Sequence, residues 1–255
     1  MKKEMSNRVA ELGFLFWVIK IFSTTVGETA ADFVSENLHL GLVNTAILMG
    51  ALTILITLWN FKQKTYFPPS YWSLIVIMSI EGTLITDLLV DGLGVSLILL
   101  DMLFAVAMIG LFLIWYRKEQ TLSIHSINNT VRERYYWIIV LTTFALGTGV
   151  GDTLSEHLEV GYLNSFILFG SIFMMAGVFY YLKLIKATPA FWIAFIVTRP
   201  IGASVGDLCI QEPAHGGLGW PVSTVNEVFF FIIISAVLYL TWVHKQKRTF
   251  ELKSV

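Results

Sequence analysis

Long apolar runs alternate with short polar breaks along the whole chain. Eight runs stand out: residues 12–36, 41–61, 70–91, 95–116, 134–157, 161–184, 189–210 and 219–243. A bilayer core takes about 20 mostly apolar residues per helix. The pattern therefore predicts an all-α polytopic membrane protein with eight transmembrane helices. The runs are not uniformly apolar. The stretch FWVIKIFSTTVGETAADF, residues 16–33, holds Lys20, Glu28 and Asp32 within one helix length. An ionised side chain at mid-membrane costs about 2.5–3.5 kcal/mol on insertion scales, so these charges need a reason.

Part of the reason is repetition. Tryptophans fall at Trp17, Trp72, Trp137 and Trp192. Ten residues after each comes a glycine: Gly27, Gly82, Gly147 and Gly202. Fifteen after each comes an aspartate: Asp32, Asp87, Asp152 and Asp207. Nineteen after each comes Glu36, Asp91, Glu156 or Gln211. The unit is W-x9-G-x4-D-x3-[DEQ], carried by the first helix of a two-helix hairpin. The halves also match at an offset of 120, which lays LGLVNTAILMG (40–50) over VGYLNSFILFG (160–170). The chain divides into a leading segment 1–11, units 12–69 and 70–120, a linker 121–133, units 134–188 and 189–243, and a tail 244–255. Two-helix units all insert the same way up. The expected arrangement is four parallel repeats about a pseudo-fourfold, or 2+2 pseudo-twofold, axis along the membrane normal.

This tryptophan-marked pattern resembles a family of bacterial integral membrane proteins built of four tandem two-helix "repeat of unknown function" units. The resemblance covers residues 12–245 and implies an eight-helix protein of the bacterial inner membrane. It implies no activity, so function has to come from the residues.

Composition agrees with the membrane reading. Hydrophobic residues make up 56% of the chain and mean hydropathy is +0.72; charged residues make up 14%, against about 25% in an average soluble domain. A single cysteine, Cys209, excludes an internal disulfide or a multi-cysteine metal site. Fifteen of the 17 basic residues lie before the first run or around the ends of the even-numbered ones and the linkers that follow them, among them Lys2, Lys3, Arg8, Lys62, Arg117, Arg132, Lys183, Lys245, Arg248 and Lys253. The positive-inside rule then places both termini in the cytoplasm. The basic N-terminus reads as leading into an uncleaved first span, because the apolar run continues past Trp17. The opposite side is acidic and carries His39, His157 and His215.

Two basic residues within the runs, Lys20 and Arg199, cannot neutralise eight acids there: Glu28, Asp32, Glu81, Asp87, Asp101, Asp152, Asp207 and Glu227. In a parallel fourfold repeat the four aspartates would form a ring at one depth. Asp32 and Glu36 are four apart and share a helix face, as do Asp87 with Asp91 and Asp152 with Glu156. The glycine-rich strings GTGVG (147–151) and GASVG (202–206) are poor helix formers, so local unwinding with freed carbonyls is expected there. Carboxylates, carbonyls and the Asn44 and Asn164 amides are hard oxygen donors, suited to Mg²⁺, Ca²⁺ or Mn²⁺.

The expected site is therefore Asp32, Asp87, Asp152 and Asp207 as metal ligands or proton relays, with Glu28, Glu36, Asp91, Glu156 and Asp101 in support. Lys20 and Arg199 balance charge by pairing with neighbouring acids. The histidines form an outer rim. The glycines are expected to allow close helix crossing, and the tryptophans to sit as interfacial anchors.

The resulting expectation is a secondary transporter of a small cation, divalent Mn²⁺ or Mg²⁺, exchanging with protons. The rivals are a channel on the repeat axis, a transporter of an organic cation, and a membrane scaffold or sensor. No enzyme constellation is present in the sequence. No covalent cofactor or nucleic-acid partner is implied; the partners are the lipid bilayer and the cation, and the oligomeric state is left open. The orientation has a direct check. Alkaline phosphatase fused after residue 38 should be active, and fused after residue 64 or 120 inactive, the enzyme working only outside the cytoplasm.

Overall fold

A computed structural model describes residues 7–253. Lys2 and Lys3 lie outside the described residues, as do the side chains of Arg248 and Lys253. Every regular element among the described residues is helical. The long helices are α1 (Phe14–Asp32), α2 (Leu42–Lys62), α3 (Pro68–Asp87), α4 (Leu97–Glu119), α5 (Thr130–Asp152), α6 (Tyr162–Tyr181), α7 (Ala187–Ile210) and α8 (Val222–Lys253). All eight are long and apolar enough to cross a membrane. The last continues as one helix past its span into the basic segment expected as a separate tail.

The odd helices form an inner layer and the even helices an outer one. Each inner helix packs on the inner helices before and after it in the chain, and α7 closes the circle on α1. Each outer helix leans on the inner helix of the next unit: α2 on α3, α4 on α5, α6 on α7, and α8 back on α1. The hairpin is thus opened, and consecutive units are interlocked. The outer helices present Leu, Ile, Val and Phe outward along their length. That is the expected surface of a protein whose solvent is lipid.

Two cyclic contacts hold the inner layer. The first is aromatic. The residue before each tryptophan is also aromatic: Phe16, Tyr71, Tyr136 and Phe191. Trp72 packs on Phe16 at 5.5 Å, Trp137 on Tyr71 at 5.3 Å, Trp192 on Tyr136 at 6.1 Å and Trp17 on Phe191 at 5.9 Å between ring centroids. Trp72, Trp137 and Trp192 are buried and Trp17 half-buried. The expectation of interfacial anchors is corrected. These rings are core, because each helix needs a large apolar surface against its neighbour.

The second contact is the glycine. A Cβ at Gly27 would fall 2.7 Å from Ser79 Cβ, and Cβ atoms at Gly82, Gly147 and Gly202 would fall 2.6 Å from those of Phe144, Arg199 and Thr24. Each repeated glycine therefore lets its helix touch the next one around the circle, as small residues do in membrane bundles. The helices do not unwind there. Both α5 and α7 run unbroken through GTGVG and GASVG, and α7 also runs through Pro200. The tight neighbour contact compensates for poor propensity.

One end of the inner layer is closed by polypeptide. The Arg8 amide donates to the Ile127 carbonyl at 2.9 Å, and the Tyr66 amide to the Asn7 carbonyl at 3.0 Å. Arg8 Nη1 pairs with the buried Glu133 at 2.6 Å. Trp192 Nε1 donates to the Leu122 carbonyl at 2.9 Å, which ties the 121–133 linker to α7. Tyr66, in the α2–α3 loop, accepts from Trp72 Nε1 at 3.1 Å, and burial pushes its hydroxyl above the usual tyrosine range. The opposite end carries the acidic residues.

The glycine contacts are testable against an internal control. Gly147→Ala should lower stability by about 1–3 kcal/mol, the usual cost of forcing extra volume into a packed site, whereas nothing lies within 4 Å of a Cβ at Gly170. Thermal unfolding in detergent should separate Gly147→Ala from an unperturbed Gly170→Ala.

Candidate functional site

Along every inner helix, residues four apart from the aromatic to the aspartate make one continuous stripe. In α1 it reads Phe16, Lys20, Thr24, Glu28, Asp32; in α3, Tyr71, Ile75, Ser79, Thr83, Asp87; in α5, Tyr136, Val140, Phe144, Thr148, Asp152; in α7, Phe191, Phe195, Arg199, Ala203, Asp207. Rows of residues four apart are natural ridges of a helix. Here the four ridges meet and fill the axis. The stripe is buried throughout below the aspartates.

The bottom layer is aromatic, with Tyr71 and Tyr136 hydroxyls 2.5 Å apart. Above it lies Lys20, fully buried. Its Nζ donates to Thr198 Oγ1 at 3.1 Å and sits 4.2 Å from the ring centroids of both Phe144 and Phe195. The predicted acid partner is not there; two ring faces and a hydroxyl take its place, a recognised cation–π arrangement.

Arg199 occupies the next two layers and is also fully buried. Its Nη2 donates to Glu28 Oε2 at 2.6 Å, to Thr148 Oγ1 at 2.7 Å and to the Thr83 hydroxyl; its Nη1 donates to the Thr24 carbonyl at 2.8 Å and its Nε to Thr148 Oγ1 at 3.1 Å. One side chain of α7 thus bonds α1, α3 and α5. Glu28, Thr83 and Thr148 occupy the same position of the repeat, eleven after the tryptophan, and the fourth copy has the small Ala203 there. For Arg199 the predicted ion pair is present. The two threonines were missed at the sequence level. Aligning the repeats beyond the tryptophan, glycine and aspartate registers reveals them, as it reveals the aromatic before each tryptophan.

Above Arg199 the aspartates converge. Asp32 lies within electrostatic reach of Asp207, Asp87 of Asp32, and Asp152 of both Asp87 and Asp207; Glu28 acts on all four. The neighbour pairs trace the same circle as the helices. Asp32, Asp87 and Asp152 are half-buried and Asp207 is buried. Three of them end their α-helix, and the next five residues widen into a π-turn: Phe33–Asn37, Leu88–Gly92 and Thr153–His157. The fourth unit, with Gln211 in place of the second acid, continues as an α-helix to Ile210. Widening is a common device near functional positions. In this chain it replaces the expected unwinding at the glycines.

The other predicted residues divide clearly. Glu36, Asp91 and Glu156 are exposed one turn beyond the aspartates, and Glu156 accepts from the Tyr162 hydroxyl at 2.9 Å. His39, His157 and His215 are exposed in the same loops. Asp101 is not in the ring. It projects from α4 against Gly149 and accepts from Thr153 Oγ1 at 2.6 Å, an outer-to-inner helix tie. Asn226 makes the matching tie from α8, accepting from Thr29 Oγ1 at 2.7 Å and donating to its carbonyl at 3.0 Å. The Asn44 and Asn164 side chains are exposed on the outer layer, where each amide nitrogen donates to a carbonyl four residues back, Leu40 or Val160, at 2.9 Å. Among the described residues no three His, Cys, Asp or Glu side chains come close enough together to hold a metal ion. The ring as it stands does not chelate an ion directly.

The repeat model described as Repeat of Unknown Function (DUF347) matches four segments, 15–66, 70–121, 135–184 and 190–246. The chain belongs to this family. No match was found among curated proteins or among solved structures.

The guanidinium cluster makes a stability prediction. Removing one partner of a buried pair costs about 3–5 kcal/mol because the other charge is stranded, whereas replacing both partners is far milder. Glu28→Ala should unfold well before wild type in a denaturation series, and adding Arg199→Leu to it should recover much of the loss.

Proposed function

We propose that the protein is a secondary transporter of a small cation in the bacterial inner membrane, with both termini cytoplasmic. The convergence of Asp32, Asp87, Asp152 and Asp207 at the acidic end of a closed column carries this reading. Intramembrane acids that face a bundle interior are the usual marks of an ion path. The basic-residue pattern supports an extracytoplasmic location for this end. There Glu36, Asp91 and Glu156 raise the local concentration of cations before they reach the ring.

Because no three acids among the described residues gather closely enough to hold a bare ion, a cation that keeps its water is favoured. Mg²⁺ sheds its hydration shell reluctantly and is commonly held through one or two carboxylates. A hydrated divalent ion, Mg²⁺ or Mn²⁺, is the substrate class we assign, with protons as the exchanging species. The four aspartates lie within electrostatic reach of one another around the circle, so each cation bound displaces some of their protons. The packed layers below the ring favour a carrier over an open pore on the axis. An organic cation calls for an aromatic cavity beside the acids, and the aromatic rings are instead packed at the far end of the column.

The test is flux in proteoliposomes. Mg²⁺ and Mn²⁺ uptake should respond to a pH gradient, and Asp32→Asn and Asp152→Asn should each lower it by about tenfold or more. Unchanged uptake in both variants would sink the carboxylate site.

A further inference from the structure

Arg199 stands one turn below the ring, and its surroundings assign it a part in transport. A ring of four aspartates emptied of its cation keeps negative charge on whichever carboxylates the returning protons leave bare, in a poorly solvated place, which is costly unless a counter-charge is at hand. Arg199 is the charge at hand. It acts electrostatically on Asp32, Asp87 and Asp207. Its Nη2 faces three acceptors, Glu28, Thr83 and Thr148, with two N–H bonds to give. It can therefore release Glu28 and stay bonded, the freed Glu28 carboxylate taking up one of the exchanging protons so that no bare charge is stranded there. Glu28 and Asp32 are successive members of one stripe, about one helical turn of 5.4 Å apart, so the move to the ring is short. Below it stands the Lys20 amine, held by the Thr198 hydroxyl and two ring faces, so no acid competes for the guanidinium from that side. The ionisable groups facing it are Lys20, Glu28 and Asp32 from α1, Asp87 from α3 and Asp207 from its own helix.

We propose that Arg199 is a resident counter-cation, which moves up to the aspartate ring when the transported ion leaves and returns to Glu28 when the next ion binds. The proposal rests on the reading of the ring as a cation site. In that cycle the empty carrier recrosses the membrane with its charge compensated from within. Glu28 is the parking place, and the Thr83 and Thr148 hydroxyls are the hinge contacts kept in both positions.

Two modes of Mn²⁺ flux in proteoliposomes separate this part from a structural one. Net uptake needs the empty carrier to return; exchange of isotopic Mn²⁺ against Mn²⁺ on both sides does not. Arg199→Gln should lower net uptake by about tenfold or more while exchange falls by less than about threefold, and Arg199→Lys should restore part of the net uptake. Equal loss in both modes, or no loss in either, overturns the proposal. Where Arg199→Gln does not elute as a folded species, Glu28→Gln takes its place. It removes the parking place, so the guanidinium competes with Mn²⁺ for the ring, and the KM for Mn²⁺ uptake should rise by about tenfold, more than kcat falls. A KM unchanged in a folded Glu28→Gln overturns the proposal too. Asp32→Asn, run in parallel, tells the two failures apart. Flux lost in that variant with the Arg199 and Glu28 results negative leaves the ring reading standing; flux insensitive to Asp32→Asn ends both.

Discussion

Four helices could not meet on this axis without something to satisfy the polar groups they bring there, and that something is a single guanidinium. Arg199 gives hydrogen bonds to three other helices, using Glu28, Thr83, Thr148 and the Thr24 carbonyl. Around it the rest of the inner layer is set. The glycine at 147 lets its stem pass, since Gly147 touches the Arg199 side chain. The small Ala203 follows it by one turn in the same stripe. A charge so deep in an apolar bundle is tolerable only when its hydrogen-bonding capacity is used, and here the partners come from all sides. The planar, forked geometry of arginine suits this arrangement; a lysine presents its donors from one point.

The column has a graded character from end to end. Aromatic packing and a covering strap of residues 7–10 close one end, with Val9 and Ala10 buried. Lys20 and Arg199 follow, then four carboxylates, then exposed acids. Charge is ordered along the axis, with the Arg199–Glu28 pair at mid-height and unpaired carboxylates toward the acidic mouth. A cation approaching from the mouth is drawn in and then opposed. On the proposed reading this profile binds an ion and stops it, and a carrier would use it by moving the helices rather than by letting the ion through. The small repeated glycines and the interlocked hairpins make rigid sliding of one inner helix past another the natural motion for such a bundle.

Much of this was legible beforehand. Apolar run length gave the eight spans because the bilayer imposes it. The tryptophan, glycine and aspartate registers gave the four units, because equivalent positions in a closed circle make equivalent contacts. The glycines were read correctly as packing positions, since small residues have few other uses at a helix crossing. The tryptophans were misread. An aromatic near a span end looks alike whether it faces headgroups or a neighbouring ring, and only the arrangement of helices decides. Lys20 was misread for a related reason: ring faces from α5 and α7 stand in for the expected acid, and they belong to different copies at different positions. The π-turns after three aspartates have no simple sequence signal beyond the second acid that accompanies each of them. Thr83 and Thr148 needed only a longer alignment of the copies.

The outer helix α8 leans on α1 just as each earlier outer helix leans on the inner helix that follows it. That circle could equally be made by four separate hairpins of identical sequence. Such a homotetramer, however, obeys its own symmetry: it can set four arginines on the axis or none, and four guanidiniums at one level would repel. A lone Arg199 facing one Glu28 and two threonines is open only to a chain that carries its four hairpins in tandem and lets each diverge. Fusion in this protein therefore did more than fix stoichiometry. It made an off-symmetry charge at the symmetric centre chemically admissible, and with it a centre whose four walls have different tasks.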